Sequence, residues 1–220
     1  MGIISIEQKD RLYWLGRYSE RVYTTLRLYS RSYDTMIDEI TDSYQEFCKK
    51  IDIPDIYGSK DAFKEKYPFD RENPDSIISN LERAYDNAIV LRESIGSETL
   101  AYIQLAIYEM NRAKDSRSPL IELQKVTDNL MAFWGIADDQ IDSEQIRNIL
   151  KTGKRIERVD LYARLGASRE RLIREVSRMI PRVERSGMEY DPQKLITLNV
   201  LVNAPELDYY KIVAEVESIL

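Results

Sequence analysis

No histidine occurs anywhere in the 220 residues, and that absence removes more chemistry than any other feature of the chain. Without an imidazole there is no His-based general acid or base, and no Ser-His-Asp or Cys-His triad. The Glu-x-x-His pairs that hold di-iron centres in helical bundles are excluded as well. A single cysteine, Cys48, rules out a disulfide framework within the chain and fits a reducing, cytoplasmic setting. It lies on the polar–apolar flank of a helical pattern with no base beside it, so it reads as a packing thiol rather than a nucleophile. Glycine and proline number only 8 and 7, which favours helices over a turn-rich β architecture. No apolar run approaches the roughly 20 residues that a membrane span needs. The start reads as neither a signal peptide nor, with Ile6 where Ser or Thr is wanted, a myristoylation site. Neither type of glycine-rich phosphate loop is present.

What the chain does have is a stretch written twice. Leu12-Tyr13-Trp14-Leu15-Gly16-Arg17-Tyr18-Ser19-Glu20-Arg21-Val22 and Thr152-Gly153-Lys154-Arg155-Ile156-Glu157-Arg158-Val159 share Gly, a basic residue, Glu, Arg and Val at identical offsets. Arg27-Leu28 and Arg164-Leu165 extend the match at the same distance from each glycine, 137 residues apart. On a helix, offsets 0, 4, 7 and 11 return to nearly the same angle. Each copy therefore lays down one stripe: Gly16, Glu20, Tyr23 and Arg27 in the first, Gly153, Glu157, Asp160 and Arg164 in the second. An apolar seam runs beside the first stripe through Leu15, Val22, Leu26, Tyr29, Tyr33, Met36, Ile40 and Phe47. Its counterpart is Ile156, Val159 and Ala163. The glutamates fall about 100° from the seam, at the edge of the buried face.

A glycine inside a helix costs roughly 1 kcal/mol relative to alanine, so Gly16 and Gly153 imply close approach of another helix or of a ligand. Two readings of the stripes follow. In one, Glu and Arg form half-buried ion pairs that lock two helices together. In the other, they line a symmetric polar pocket for an anion or a partner. Its residues would be Gly16, Arg17, Glu20, Arg21, Arg27, Gly153, Lys154, Glu157, Arg158 and Arg164.

The charge distribution supports joining the two stretches. The chain carries a net charge of −6, yet residues 1–31 are +3 and residues 151–185 are +6, against −11 for residues 32–150 and −4 for 186–220. Brought together, the repeat-bearing segments would form one basic surface on an acidic protein.

Along the chain, residues 6–50 read as one long amphipathic helix and 51–72 as a connector with a helical turn near 60–66. Asn73-Pro74 reads as a capped helix start, with that helix ending near Gly96 and Ser97 capping the next, to about Ala113. Residues 120–137 form another. Asp142 with Gln145 resembles a capping box for a second motif helix that breaks or kinks near Gly166 before continuing to Ile180. Asp191-Pro192 repeats the Asn-Pro start, and a short helix follows Pro205. The fold class is thus all-α: a helical bundle with an internal pseudo-twofold repeat, one domain over residues 1–220 with halves of about 1–115 and 116–220. Asp138-Asp139-Gln140-Ile141-Asp142 has the spacing of a magnesium–diphosphate motif. It lacks a second acidic cluster and reads better as a helix end and cap. No metal or cofactor is expected, and the absence of any nucleic-acid module argues against nucleic acid.

The residues also resemble a known family. Leu12-Tyr13-Trp14-Leu15-Gly16-Arg17-Tyr18 with Glu20-Arg21, Asn73-Pro74 with Ser76-Ile77, Arg92-Glu93 with Ser97-Glu98, and Gly153 with Glu157-Arg158 are similar to the alpha-E domain family, a bacterial all-helical family of uncharacterised function. Leu100, Gln104 and Lys154 depart from the family's usual Trp, Asn and Arg, and its members commonly run longer. Members tend to be encoded beside ATP-grasp-type ligases and transglutaminase-like proteins. The resemblance therefore implies a non-catalytic binding or scaffold module working with such a protein partner in peptide or amide-bond chemistry. Arg17, Arg21, Lys154 and Arg158 would meet an anionic peptide or nucleotide. An enzyme using Glu20 and Glu157 as paired carboxylates is the alternative, and a structural homodimer built on the long helix is a third reading.

Overall fold

A computed structural model describes residues 4–38 and 43–220. Eleven α-helices and no strand occur among the described residues. They are α1 (Ile6–Asp38), α2 (Ser43–Ile51), α3 (Lys60–Lys66), α4 (Ile77–Val90), α5 (Arg92–Ile95), α6 (Ser97–Lys114), α7 (Pro119–Gln140), α8 (Glu144–Arg164), α9 (Arg169–Ser186), α10 (Pro192–Asn203) and α11 (Tyr209–Glu217). None is long and apolar enough to cross a membrane. The chain is all-α.

Two compact units divide it. One is Arg21–Ile141; the other joins the residues up to Glu20 with Asp142–Leu220. The helix α1 gives its first part to the second of these and the rest to the first. In the unit ending at Leu220, α8 packs against α9 and α11, and α10 against α9 and α11. Its core is aliphatic, with Leu12, Leu15, Ile149, Ile156, Leu172, Val176, Met179 and Ile212 at 0–1 % exposure. In the Arg21–Ile141 unit, α6 packs along α7 and across α4, while Tyr29, Phe47, Phe63 and Tyr67 form an aromatic cluster with ring centroids 4.7–6.4 Å apart. Of the apolar seam, Met36 and Ile40 lie outside the residues whose side chains are described.

Several helix boundaries differ from the sequence reading, each for a local reason. The cap of α4 is Ser76, whose Oγ accepts from the Ser79 amide. Asn73 instead closes a turn before the helix, accepting from the Asp75 amide at 2.9 Å and donating to the Tyr57 hydroxyl. Ser97 does not cap α6; Gly96, at φ +84°, precedes it, and the Ser97 hydroxyl accepts from Arg92. At α8 the cap is Ser143, so Asp142 and Gln145 form no capping box: Gln145 reaches the Ser186 carbonyl instead. Around Gly166 (φ +63°), of the break or kink expected there, it is the break that occurs: the helix stops and the chain reverses. Helix α9 then returns along α8, with Arg155 against Glu175 and Asn148 against Arg182. It also runs through Pro181 to Ser186 rather than ending at Ile180. An interior proline removes one helical hydrogen bond; here Met179 and Val183, both buried on either side, keep the helix seated.

Candidate functional site

The two glycines meet each other's helix. A Cβ at Gly16 would overlap the Leu150 carbonyl oxygen and come within 3.0 Å of the Lys154 nitrogen. A Cβ at Gly153 would overlap the Tyr13 carbonyl oxygen and come within 3.0 Å of the Arg17 nitrogen. The contacts are reciprocal: each glycine faces the residue three before, and the residue one after, the other glycine. Only a residue without a side chain permits this approach of two backbones.

Close approach changes what the stripes are. The sequence reading placed Glu20 and Glu157 at the edge of the buried face; both are fully buried, at 0 % exposure. With the backbones touching at Gly16 and Gly153, the next turn of each helix, where the glutamates sit, is covered by the other. A buried carboxylate needs a partner of opposite charge, and each has one from the opposite helix. The Arg17 guanidinium donates to Glu157 at 2.7 Å, and Arg158 grips Glu20 with two bonds of 2.6 and 2.8 Å. Two-pronged Arg–carboxylate pairing is among the strongest side-chain contacts available.

Further charges extend the network. Asp160 accepts from Arg164 at 2.8 Å and lies 3.9 Å from Arg17, and Arg164 also donates to Glu217. Burial pushes the Asp160 carboxyl up, with neighbouring Glu157 adding to the effect and Arg164 and Arg17 opposing it. Burial also opposes charge on Arg17, but Glu157, Tyr13 and Asp160 more than offset it and hold the guanidinium above its ordinary value. Arg158 behaves alike through Glu20. Arg155 is the exception: burial depresses it, Glu175 only partly compensates, and Arg158 depresses it further. Arg17 also stacks over the Trp14 ring at 5.2 Å, and Trp14 stacks on Tyr18, so the Tyr-Trp opening of the first copy cradles its arginine.

Of the ten residues singled out from the sequence, eight fall in this unit: Gly16, Arg17, Glu20, Gly153, Lys154, Glu157, Arg158 and Arg164. Arg21 and Arg27 belong to the Arg21–Ile141 unit. There Arg27 is exposed and donates to the Tyr23 hydroxyl one turn back. Sequence reasoning missed Arg155 and Glu175. The signal was present: Glu175 breaks the apolar face of α9 between Leu172, Val176 and Met179, where an unpaired acid would be costly.

A family model matches residues 8–199, under the description of a predicted alpha-helical domain with a conserved ER motif. The chain belongs to the Alpha-E family. No curated protein and no solved structure matches it. Within the matched residues Glu is followed by Arg five times, at 20–21, 82–83, 157–158, 170–171 and 184–185. Only at Glu20 and Glu157 is the glutamate buried. Burial thus separates Glu20 and Glu157 from the glutamates of the other three pairs, of which Glu82 is half-buried and Glu170 and Glu184 are exposed.

Proposed function

We propose that this Alpha-E chain is a non-catalytic helical module that holds a partner protein. The interlocked stripes of α1 and α8 serve as its rigid platform, and Arg17, Lys154, Arg158 and Arg164 form the cationic edge that faces an anionic peptide or nucleotide. The observation that carries this reading is the state of the two glutamates. Each is fully buried and clamped by a guanidinium from the other helix, so neither offers an accessible oxygen to take a proton from a substrate. The guanidiniums, by contrast, keep an edge to solvent, with 12 % of the Arg17 and 16 % of the Arg158 side chain exposed.

The reciprocal approach of Gly16 and Gly153 supports reading the two stripes as an internal repeat with pseudo-twofold arrangement. The resemblance to proteins encoded beside ATP-grasp-type ligases and transglutaminase-like proteins supports one of these as the partner, and the lone cysteine supports a cytoplasmic setting. Asp160 is the feature that favours an enzyme instead, because its raised carboxyl is the group best placed to carry a proton. It too is buried, at 2 % exposure, which again places it away from substrate.

Co-expression of the tagged chain with the neighbouring ATP-grasp-type and transglutaminase-like proteins tests the module. One of them should co-purify, and a Lys154→Ala variant, which keeps Arg17 and Arg158 on their buried glutamates, should release it while melting within a few degrees of the parent. Failure to retain either protein, together with a Glu20-dependent turnover of a peptide substrate, would replace the module with the enzyme.

A further inference from the structure

Helix α9 carries a second charged feature, and this one faces outward. At 100° per residue, Arg171, Arg174, Arg178, Arg182 and Arg185 fall within roughly 80° of one another around the helix and span about 21 Å along it. Arg171, Arg174, Arg178 and Arg185 are exposed, and Arg182 is half-buried. Glu170 and Glu184 point roughly 80° or more away from the centre of this stripe. The α9 acid that borders it is Glu175, which is buried and heavily shared. Arg155 contacts it closely, Arg178 lies at 3.2 Å, Arg158 at 3.8 Å and Arg174 at 4.0 Å. One carboxylate therefore serves four guanidiniums, of which Arg158 also holds Glu20. Arg182 is satisfied by a neutral group, the Asn148 amide oxygen, and neither Arg171 nor Arg185 has an ion-pair partner among the described residues. The row is over-supplied with positive charge, in contrast to the pairing at the crossing.

We infer that the outward arginine row of α9 is a docking face for an acidic segment of a partner protein, one whose carboxylates recur about every 5–6 Å, the rise of one helical turn. The charge excess fits such a segment by complementarity. The choice of arginine throughout, with no lysine in α9, favours planar two-pronged contacts to carboxylates. A nucleic acid fits less well. The helix has no aromatic side chain on which a base could stack, and a chain of pI about 5.0 repels a long polyanion. The inference rests on the reading of the domain as a binding module, and names one surface and the chemistry of what it binds.

Fluorescence anisotropy with a labelled helix-forming peptide of repeating Glu-Ala-Ala-Ala, about 20 residues long, tests it. The native chain should bind this peptide and not its Glu→Gln counterpart. Arg171→Ala with Arg185→Ala, which breaks no ion pair, should weaken binding at least tenfold with an unchanged melting curve, whereas Arg171→Lys with Arg185→Lys, which keeps the charge but not the two-pronged contact, should weaken it by a smaller factor. No binding by the native chain, equal binding by the alanine pair, or tenfold tighter binding of a single-stranded oligonucleotide of matched charge would overturn the docking face. If the peptide fails while the chain still retains an ATP-grasp-type or transglutaminase-like protein, the docking face falls and the module stands. If both fail, both fall.

Discussion

Two regions of the same α1 helix are buried by opposite means. Before Glu20 the helix is covered through a glycine and a charge: Gly16 lets α8 touch its backbone, and Glu20 is buried against Arg158. Beyond Arg21 it is covered through aromatic rings, with Tyr29 at the centre of contacts to Phe47, Phe63 and Tyr67. The first mode concentrates energy in a few atoms whose partners must all be present, since a buried charge without its partner is costly. The second spreads energy over many weak contacts, and the Tyr29 hydroxyl donates to the Lys64 carbonyl at 2.8 Å. Substitution at the crossing should therefore act sharply, and substitution in the aromatic cluster gradually.

The largest effect should come from Glu20→Gln with Glu157→Gln. Size is kept, but Arg17 and Arg158 lose their carboxylates. Breaking a fully buried pair costs about 3–5 kcal/mol, and each of these should fall toward the lower end because both arginines keep an edge to solvent. Urea unfolding of the double variant should show that loss. A loss below about 1 kcal/mol, the range of surface pairs, would mean that the crossing is not held by charge and would remove the contrast between the regions.

Glycine gives a comparison of opposite sign. Gly16→Ala or Gly153→Ala gains helix propensity of about 1 kcal/mol but drives a methyl into a carbonyl oxygen, so a net loss of about 1–3 kcal/mol is expected. Gly135 sits mid-helix in α7, and a methyl added there would meet nothing within 4 Å. Gly135→Ala should stabilise by about 0.5–1 kcal/mol. Thermal melts of the three variants check the signs, and equal shifts in one direction would show that the crossing glycines are not in contact.

In the aromatic cluster, Tyr29→Phe removes one hydrogen bond and keeps every ring contact. A loss of about 1 kcal/mol is expected, readable from the unfolding midpoint. A much larger loss would show that this cluster, too, depends on a single polar atom.

The crossing was more legible in the sequence than the helix ends were. Glycine, glutamate and arginine at matched offsets specify close approach and opposite charge without any knowledge of the rest of the chain. What the pattern left out was depth: a 100° offset from the apolar seam marks an edge only for helices at ordinary separation, and glycine brings these closer. Caps were less legible because neighbouring polar residues compete for the same amide. Asn73 and Ser76, or Asp142 and Ser143, are each chemically able to cap, and contacts with distant groups such as the Tyr57 hydroxyl decide between them. The acidic stretch shows the same: Asp138 and Asp139 end up exposed on the last turn of α7, while Asp142 lies beyond it, so the three do not share a helical turn. Glu175 and its arginines were hidden because they depend on α9 folding back along α8.

The smallest effect at neutral pH, and the sharpest probe of the aromatic side, is the titration of Cys48. The thiol is buried beside Tyr44 and Phe47, and burial, with a contribution from Asp55, pushes it up to about 12. A thiol that holds its proton more tightly when folded stabilises the fold fully below its ordinary value and loses that contribution as pH rises toward about 12. The arginines of the crossing do not titrate in this range, so the charged network should contribute little to the same decline. Tyr57 is also pushed up to about 12 by burial, so the thiol must be isolated by substitution. Cys48→Ala will lose some packing at every pH, and urea unfolding from about pH 7 to about pH 11 separates the two contributions. The stability gap between parent and variant should stay constant up to about pH 8 and then narrow, because only the parent has a thiol to ionise on unfolding. A gap that stays constant to about pH 11 would mean that the thiol ionises as readily in the folded chain as in the unfolded one, and that the cluster admits water where the charged crossing does not.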